Sequence, residues 1–388
     1  MNKYLSIMAI LCACTGSNGG KSTERDASVP DAADAAQTSD DAGATTPDAD
    51  PPDLFAMPDA AEDLGMDAEV DLGPSLPPIP VTWPATPEDY ANSARVTYIA
   101  TLRFPEIDEN DQPICCRDFG DISRNPGIDN SFAILASSLL GLGFDLNQLL
   151  YDTLASGDLV ALLDHRELDG ETDPDGFALA WLRGSFDAPT DYATAAAGNG
   201  TFLLDPESLE PSGEPKLLFN PAQMEAGAMT AGPAQLNLLL PIALQTLDLT
   251  VNDASIGGDA TFAPDGLAYS AGTMSGWIEL ASIFENLNLL VANECACLGL
   301  GDTPLFEQQA DGSWDGNCIM DPKATCDDDL CPTLAGSDIN DGGACSLTRQ
   351  LLPQLADIDL DGDRARFEAI SIGLEWTGVS GRVSGVAP

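Results

Sequence analysis

The chain has 388 residues, with 63 acidic side chains against 15 basic ones and a formal net charge of −48 at pH 7. Such a surface repels phosphates and anionic headgroups, which excludes direct nucleic-acid binding, and it attracts divalent cations. Carboxylates in this excess also keep a protein soluble where bulk salt screens its self-repulsion, a simple account of a chain with only four Lys residues.

The chain opens MNKYLSIMAILCAC. Lys3, a short apolar run and a small residue before Cys14 predict a secretory signal over residues 1–13. The run is far shorter than the about 20 residues a membrane span needs. Leu11-Cys12-Ala13-Cys14 resembles the lipobox of bacterial lipoproteins, Leu-x-small-Cys. The resemblance implies that Cys14 becomes the lipid-modified first mature residue, and Thr15 after it implies an outer-membrane destination, surface-exposed or periplasm-facing.

From Cys14 to residue 82 the composition is Asp, Ala, Pro, Thr, Ser and Gly, with 15 acidic and two basic side chains over residues 21–82. Low hydrophobicity, like-charge repulsion and frequent Pro predict an extended, disordered acidic stalk. Residues 83–388 remain for a folded body.

In the body, residues 94–104 (ARVTYIATLRF) are rich in β-branched and aromatic residues and predict a strand. A helix is expected over 131–157, broken near Gly141 to Gly143 and capped by Asp129 or Ser131. Strands follow at 177–186, at 247–262 with Asn, Asp and Gly supplying turns between runs, and at 267–280. A shorter helix is expected over 281–292. Near the C-terminus, Ile370, Ile372, Leu374 and Trp376 alternate with Ser371, Gly373, Glu375 and Thr377, the pattern of a half-buried strand. The expected fold is mainly β: an antiparallel β-sandwich or barrel-like body with a few helices and a disulfide-stapled acidic insertion.

That insertion covers residues 293–346, with six cysteines and few large apolar side chains, so it cannot build its own core. The cysteines of the body are Cys115, Cys116, Cys295, Cys297, Cys318, Cys326, Cys331 and Cys345, an even number that suggests disulfides in an exported chain. One arrangement links the Cys115-Cys116 pair to Cys295 and Cys297 and lets the other four bridge locally. The spacings do not form zinc knuckles. Adjacent Cys115 and Cys116 also raise a redox role, but structural bridges are the simpler account.

DIDLDGDRARFE, residues 357–368, matches D-x-[DN]-x-[DN]-G-x5-E and over those twelve residues resembles an EF-hand calcium loop. The resemblance implies carboxylate ligands from Asp357, Asp359 and Asp361, a backbone carbonyl from Asp363, and two closing oxygens from Glu368, with Gly362 at the turn. The flanks differ from that family: Pro353 interrupts the entering helix, a strand follows, and Arg364 holds the usually apolar eighth position. A static structural Ca2+ clamp is therefore expected rather than a switch. The competing reading is an acidic turn. A weaker echo, ELDGETDPDGF (167–177), has no closing acid and reads as a solvated turn.

The sequence has no G-x-S-x-G, no H-E-x-x-H and no phosphate loop. Its single imidazole, His165, stands in the charged run DHRE and is expected at the surface. The lipobox, the Asp/Ala/Pro stalk and the acidic body resemble the surface lipoproteins of myxobacteria and their relatives, a group with no established activity. GIDNSFAILAS and ADIDLDGDRARFEAISIGLEW carry that resemblance most specifically. It implies location. The expected function is a lipid-anchored, non-enzymatic cell-envelope protein, binding or structural, with a glycan or protein ligand. The alternatives are an envelope polysaccharide hydrolase using paired carboxylates and a lipid carrier with a cavity lined by residues such as Leu238, Leu240 and Ile242.

Overall fold

A computed structural model describes residues 77–84, 89–90, 95–110, 112–124, 126–141, 145–242, 245–263, 266–301, 303–318 and 344–387. Cys14, the signal and most of the stalk lie outside these residues, as do Cys326 and Cys331.

The elements in chain order are β1 (Val96–Arg103), α1 (Ser131–Gly141), α2 (Leu146–Ser156), β2 (Ala161–Arg166), β3 (Asp173–Phe186), β4 (Gly200–Leu204), β5 (Leu217–Glu225), β6 (Ala228–Ile242), β7 (Gln245–Ala263) and β8 (Gly266–Glu279). After them come α3 (Leu280–Glu294), β9 (Phe306–Gln308), β10 (Trp314–Gly316), α4 (Ala344–Leu355) and β11 (Ala369–Val386). Eight strands pair antiparallel in the cycle β1-β2-β3-β5-β6-β7-β8-β11, and β11 returns to β1. The result is a closed up-and-down barrel, which leaves the cycle without a free end strand. β4 lies outside the cycle, parallel to the end of β11 and antiparallel to the end of β3.

Side chains fill the barrel, as eight strands allow. Leu163, Phe177, Leu179, Trp181, Phe219, Met229, Leu236, Val251, Ile256, Tyr269, Met274, Ile372 and Trp376 belong to one buried cluster. Trp376 fits because residue 272 is glycine: a Cβ there would stand 2.3 Å from the Trp376 ring. The β1–β2–β3 wall is buried on its outer face too. Tyr98, Leu162, Ala180 and Leu182 meet Phe202 and Leu204 of β4 in a second cluster, with Tyr98 and Phe202 ring centres 4.9 Å apart.

Several sequence expectations change here. The 247–262 stretch has no internal turn, because β7 runs unbroken over 19 residues. Its turn-like residues are absorbed as an irregularity between Asn252 and Ser255, where Asp253 adopts φ 49°. Helix α4 continues through Pro353 to Leu355. Gly157 closes α2 in the left-handed conformation. Packing begins before residue 83: the Ile79 N–H donates to Asn220 Oδ1 (2.8 Å) and Asn220 Nδ2 returns a bond to the Ile79 carbonyl (3.0 Å).

Cys115 is bonded to Cys116 rather than to Cys295 or Cys297. The peptide between them is cis, so the Cα atoms are 3.0 Å apart and the two sulfurs meet. Cys318 and Cys345 form a second bridge, and Cys295 and Cys297 are also disulfide-bonded. The Cys318–Cys345 bridge closes a loop within the 293–346 insertion rather than tying it to the body, and β9 and β10 pack on α3 through Phe284, Phe306 and Trp314.

Candidate metal centre

The 357–368 loop is fixed between the end of α4 and the start of β11. The amides of Asp357 and Ile358 both donate to the Ala369 carbonyl, and the Glu368 amide donates to the Ile358 carbonyl. On the other side, the Asp359 amide donates to Ile122 O (2.8 Å) and the Arg124 amide donates to Asp357 O (2.7 Å). The loop therefore links the 120–124 turn to the last strand through backbone bonds on both sides.

Within that frame the acidic side chains fold inward. Asp359 accepts the N–H of Gly362 at Oδ1 (2.8 Å) and of Arg364 at Oδ2 (3.0 Å). Asp361 accepts from Asp363 N (3.0 Å), and Glu368 Oε2 accepts from Leu360 N (3.0 Å). Gly362 permits the reversal, with φ 79°. As a result, carboxylate oxygens of Asp359, Asp361 and Glu368 all lie within 4.8 Å of one another; Asp359 is buried, Glu368 half-buried and Asp361 exposed.

One of the five residues picked out by the EF-hand resemblance is used differently. Asp357 turns away and is buried against β11, where it accepts both the amide (2.8 Å) and the hydroxyl of Ser371. Burial raises its carboxyl pKa, opposed by the Ser371 and Ser131 bonds. Asp363 caps the Ala365 amide with its own carboxylate (2.6 Å). In the 167–177 echo, Asp173 is buried and accepts from Asp169 N, while Glu171 and Asp175 stay exposed.

A buried polar network adjoins the loop, and the sequence reading assigned it only a helix cap. Asp129 Oδ2 accepts the Phe119 amide (2.8 Å), and Oδ1 accepts the Ser123 hydroxyl. Burial lifts the Asp129 carboxyl to about 6, with the Ser123 and Phe119 bonds opposing and neighbouring Asp357 adding to the rise. The cap of α1 is neither Asp129 nor Ser131 but Asn130, whose Oδ1 accepts Ala133 N (3.1 Å). The same side chain also pairs with both the N–H and the carbonyl of Gly373 and with the Cys115 carbonyl. Gly373 has no side chain in the way; a Cβ there would lie 2.5 Å from Asn130 Nδ2. Ser371 is accordingly fully buried, so the first half of β11 is covered on both faces, not half-buried.

His165 is not at the surface. It lies inside the barrel, 4 % exposed, with Nε2 2.8 Å from the Tyr269 hydroxyl and Nδ1 3.1 Å from the Arg95 carbonyl. A carbonyl only accepts, so Nδ1 carries the proton and Nε2 accepts from Tyr269. Burial pushes the imidazole down to about 4, which keeps it neutral. Leu238 is part of the barrel core; the side chains of Leu240 and Ile242 lie outside the described residues. Among the described residues, no helix is long and apolar enough to cross a membrane.

Fold and site together define an eight-stranded antiparallel barrel that carries a three-carboxylate loop at the start of its closing strand. Compared with known proteins, the chain matches no family model, no curated protein and no solved structure.

Proposed function

We propose that this is a cell-envelope protein held to the outer membrane by a lipid on Cys14 and carried on an acidic tether. Its barrel is a non-enzymatic binding or structural module clamped by calcium and disulfides. The observation that carries the calcium reading is the convergence of Asp359, Asp361 and Glu368 on a loop that joins the 120–124 turn to β11. Three carboxylates and no nitrogen or sulfur form an all-oxygen donor set, which suits Ca2+ better than a transition metal. Each carboxylate oxygen keeps a second lone pair beside the amide bond it accepts, so the loop's own hydrogen bonds and the ion are compatible. Waters and backbone carbonyls would complete the six to eight oxygens the ion takes. The tether and anchor rest on the sequence and on its resemblance to myxobacterial surface lipoproteins.

The same carboxylates are where a polysaccharide hydrolase would be sought. Sugar-binding clefts also use exposed aromatic platforms, whereas the exposed large apolar side chains among the described residues are Ile114, Ile122, Leu140, Leu289 and Leu360. That favours ion binding over glycan cleavage.

The test is a pair of thermal melts of the oxidised chain, in millimolar calcium and in chelator at matched ionic strength. Calcium is expected to raise Tm by several degrees, with half-saturation near about 0.1–1 mM, and Glu368→Gln is expected to remove the effect. Equal melts would reduce the loop to an acidic turn. Metabolic labelling with a fatty-acid analogue, lost in Cys14→Ala, checks the anchor separately.

A further inference from the structure

The ladder between β5 and β6 stops early. It runs from Glu225 opposite Ala228 to Ala222 opposite Ala231. Pro221 comes next on β5, and Gly232 followed by Pro233 on β6, and neither proline has an N–H to offer. β6 then continues to Ile242 paired with β7, from Leu236 opposite Val251 to Ile242 opposite Gln245. Among the described residues, no strand pairs with its other edge.

The direction of that edge can be read from Pro241, which sits in the ladder opposite Thr246. A residue without an N–H is tolerated in a strand where its nitrogen faces away from the neighbour. The N–H groups of Gln235, Asn237 and Leu239 share that direction, because it alternates along a strand. Gln235 and Asn237 are exposed, while Leu236 and Leu238 are buried in the barrel core. The open edge is therefore held by side chains that are already packed.

We propose that this edge is a self-association site, at which two copies of the chain pair β6 to β6, antiparallel, about a two-fold axis at Asn237. Charge argues for a second copy. Residues 226–247 form the longest stretch of the sequence without an ionisable side chain, 22 residues in a chain of net charge −48. Two such molecules repel across most of their surfaces, and this strand is where backbones approach without like charges meeting. The sequence is also its own antiparallel complement. With Asn237 opposite Asn237, Leu236 falls opposite Leu238 and Gln235 opposite Leu239, so the buried positions of both strands share one face. Gln235, Asn237 and Leu239 on each copy then exchange about six backbone hydrogen bonds. The association goes beyond the calcium and anchor reading and does not depend on it.

The test is sedimentation equilibrium of the full chain carrying Cys14→Ser, so that no lipid drives association, at low and high salt. A reversible dimer is expected, tighter at high salt because screening weakens the repulsion between acidic bodies. Asn237→Pro removes one edge donor, leaves the β7 ladder intact and is expected to abolish the dimer with Tm unchanged. Asn237→Lys, a change at an exposed side chain, is expected to weaken the dimer, most at low salt. If Asn237→Pro lowers Tm, the lysine variant decides. A chain that stays monomeric at every concentration and salt overturns the proposal, and so does a dimer that the deciding variant leaves undiminished.

Discussion

Asp357 and Ser371 are joined twice: one carboxylate oxygen receives the serine amide and the other its hydroxyl, both in the buried interior. That pair fixes the end of the acidic loop to the closing strand. Asp357→Ala leaves two buried donors without partners and is expected to cost about 3 kcal/mol. Asp357→Asn can accept from the amide and donate to the Ser371 oxygen, so it is expected to cost less than about 1 kcal/mol. Urea unfolding of the two variants at neutral pH checks the ordering.

Asp129 and His165 make opposed contributions to the pH dependence of stability, and buried Asp357, whose carboxyl is also raised, acts in the same sense as Asp129. Asp129 titrates at about 6 when folded, above its ordinary 3.8. The folded state then holds the extra proton, and stability is lost as pH rises from about 4 through 6. His165 titrates at about 4, below its ordinary 6.5, so stability is gained as pH rises over nearly the same window. Each is worth about 3 kcal/mol. Asp129→Asn is expected to show stability rising from pH 4 to 6.5, and His165→Gln to show it falling, where the parent chain is comparatively flat. Unfolding free energies measured at half-unit pH steps decide this; parallel profiles in all three would contradict it.

Gly272→Ala places a methyl where the Trp376 ring lies. The β8–β11 pairing holds both backbones, with Trp376 opposite Gly272. Overpacking of this kind is expected to cost about 1–3 kcal/mol or more. A lowered Tm with altered Trp fluorescence would report it.

The Cys318–Cys345 bridge spans 27 positions. Replacing both with Ser is expected to lower stability by roughly 3 kcal/mol, from the loop entropy restored to the unfolded chain. The loss should disappear when parent and variant are compared under reducing conditions.

Much of the barrel was legible in the sequence because its strands carry strong period-two patterns and β-branched runs, as in β1, β8 and β11. The break between α1 and α2 followed from the glycines at 141 and 143. The errors came where tertiary contacts override local chemistry. Polar His165 reads as surface until the barrel closes around it and Tyr269 and the Arg95 carbonyl satisfy both nitrogens. Ser371 and Gly373 read as the solvent face of a strand, yet they are the face on which Asp357 and Asn130 dock. In the acidic loop, the spacing located Asp359, Asp361 and Glu368, but the role of Asp357 depends on a serine fourteen residues away that no loop motif includes.

The hydroxyls of Thr101 and Thr377, 2.7 Å apart, belong to residues 276 positions apart, on the first and last strands of the barrel. Closure therefore waits for residues beyond 369 to emerge, however early β1 is made. Until then the sheet has two raw edges and no enclosed core. Assembly is set by the slow search for distant strand partners, and its last step is the arrival of the strand that also anchors the acidic loop.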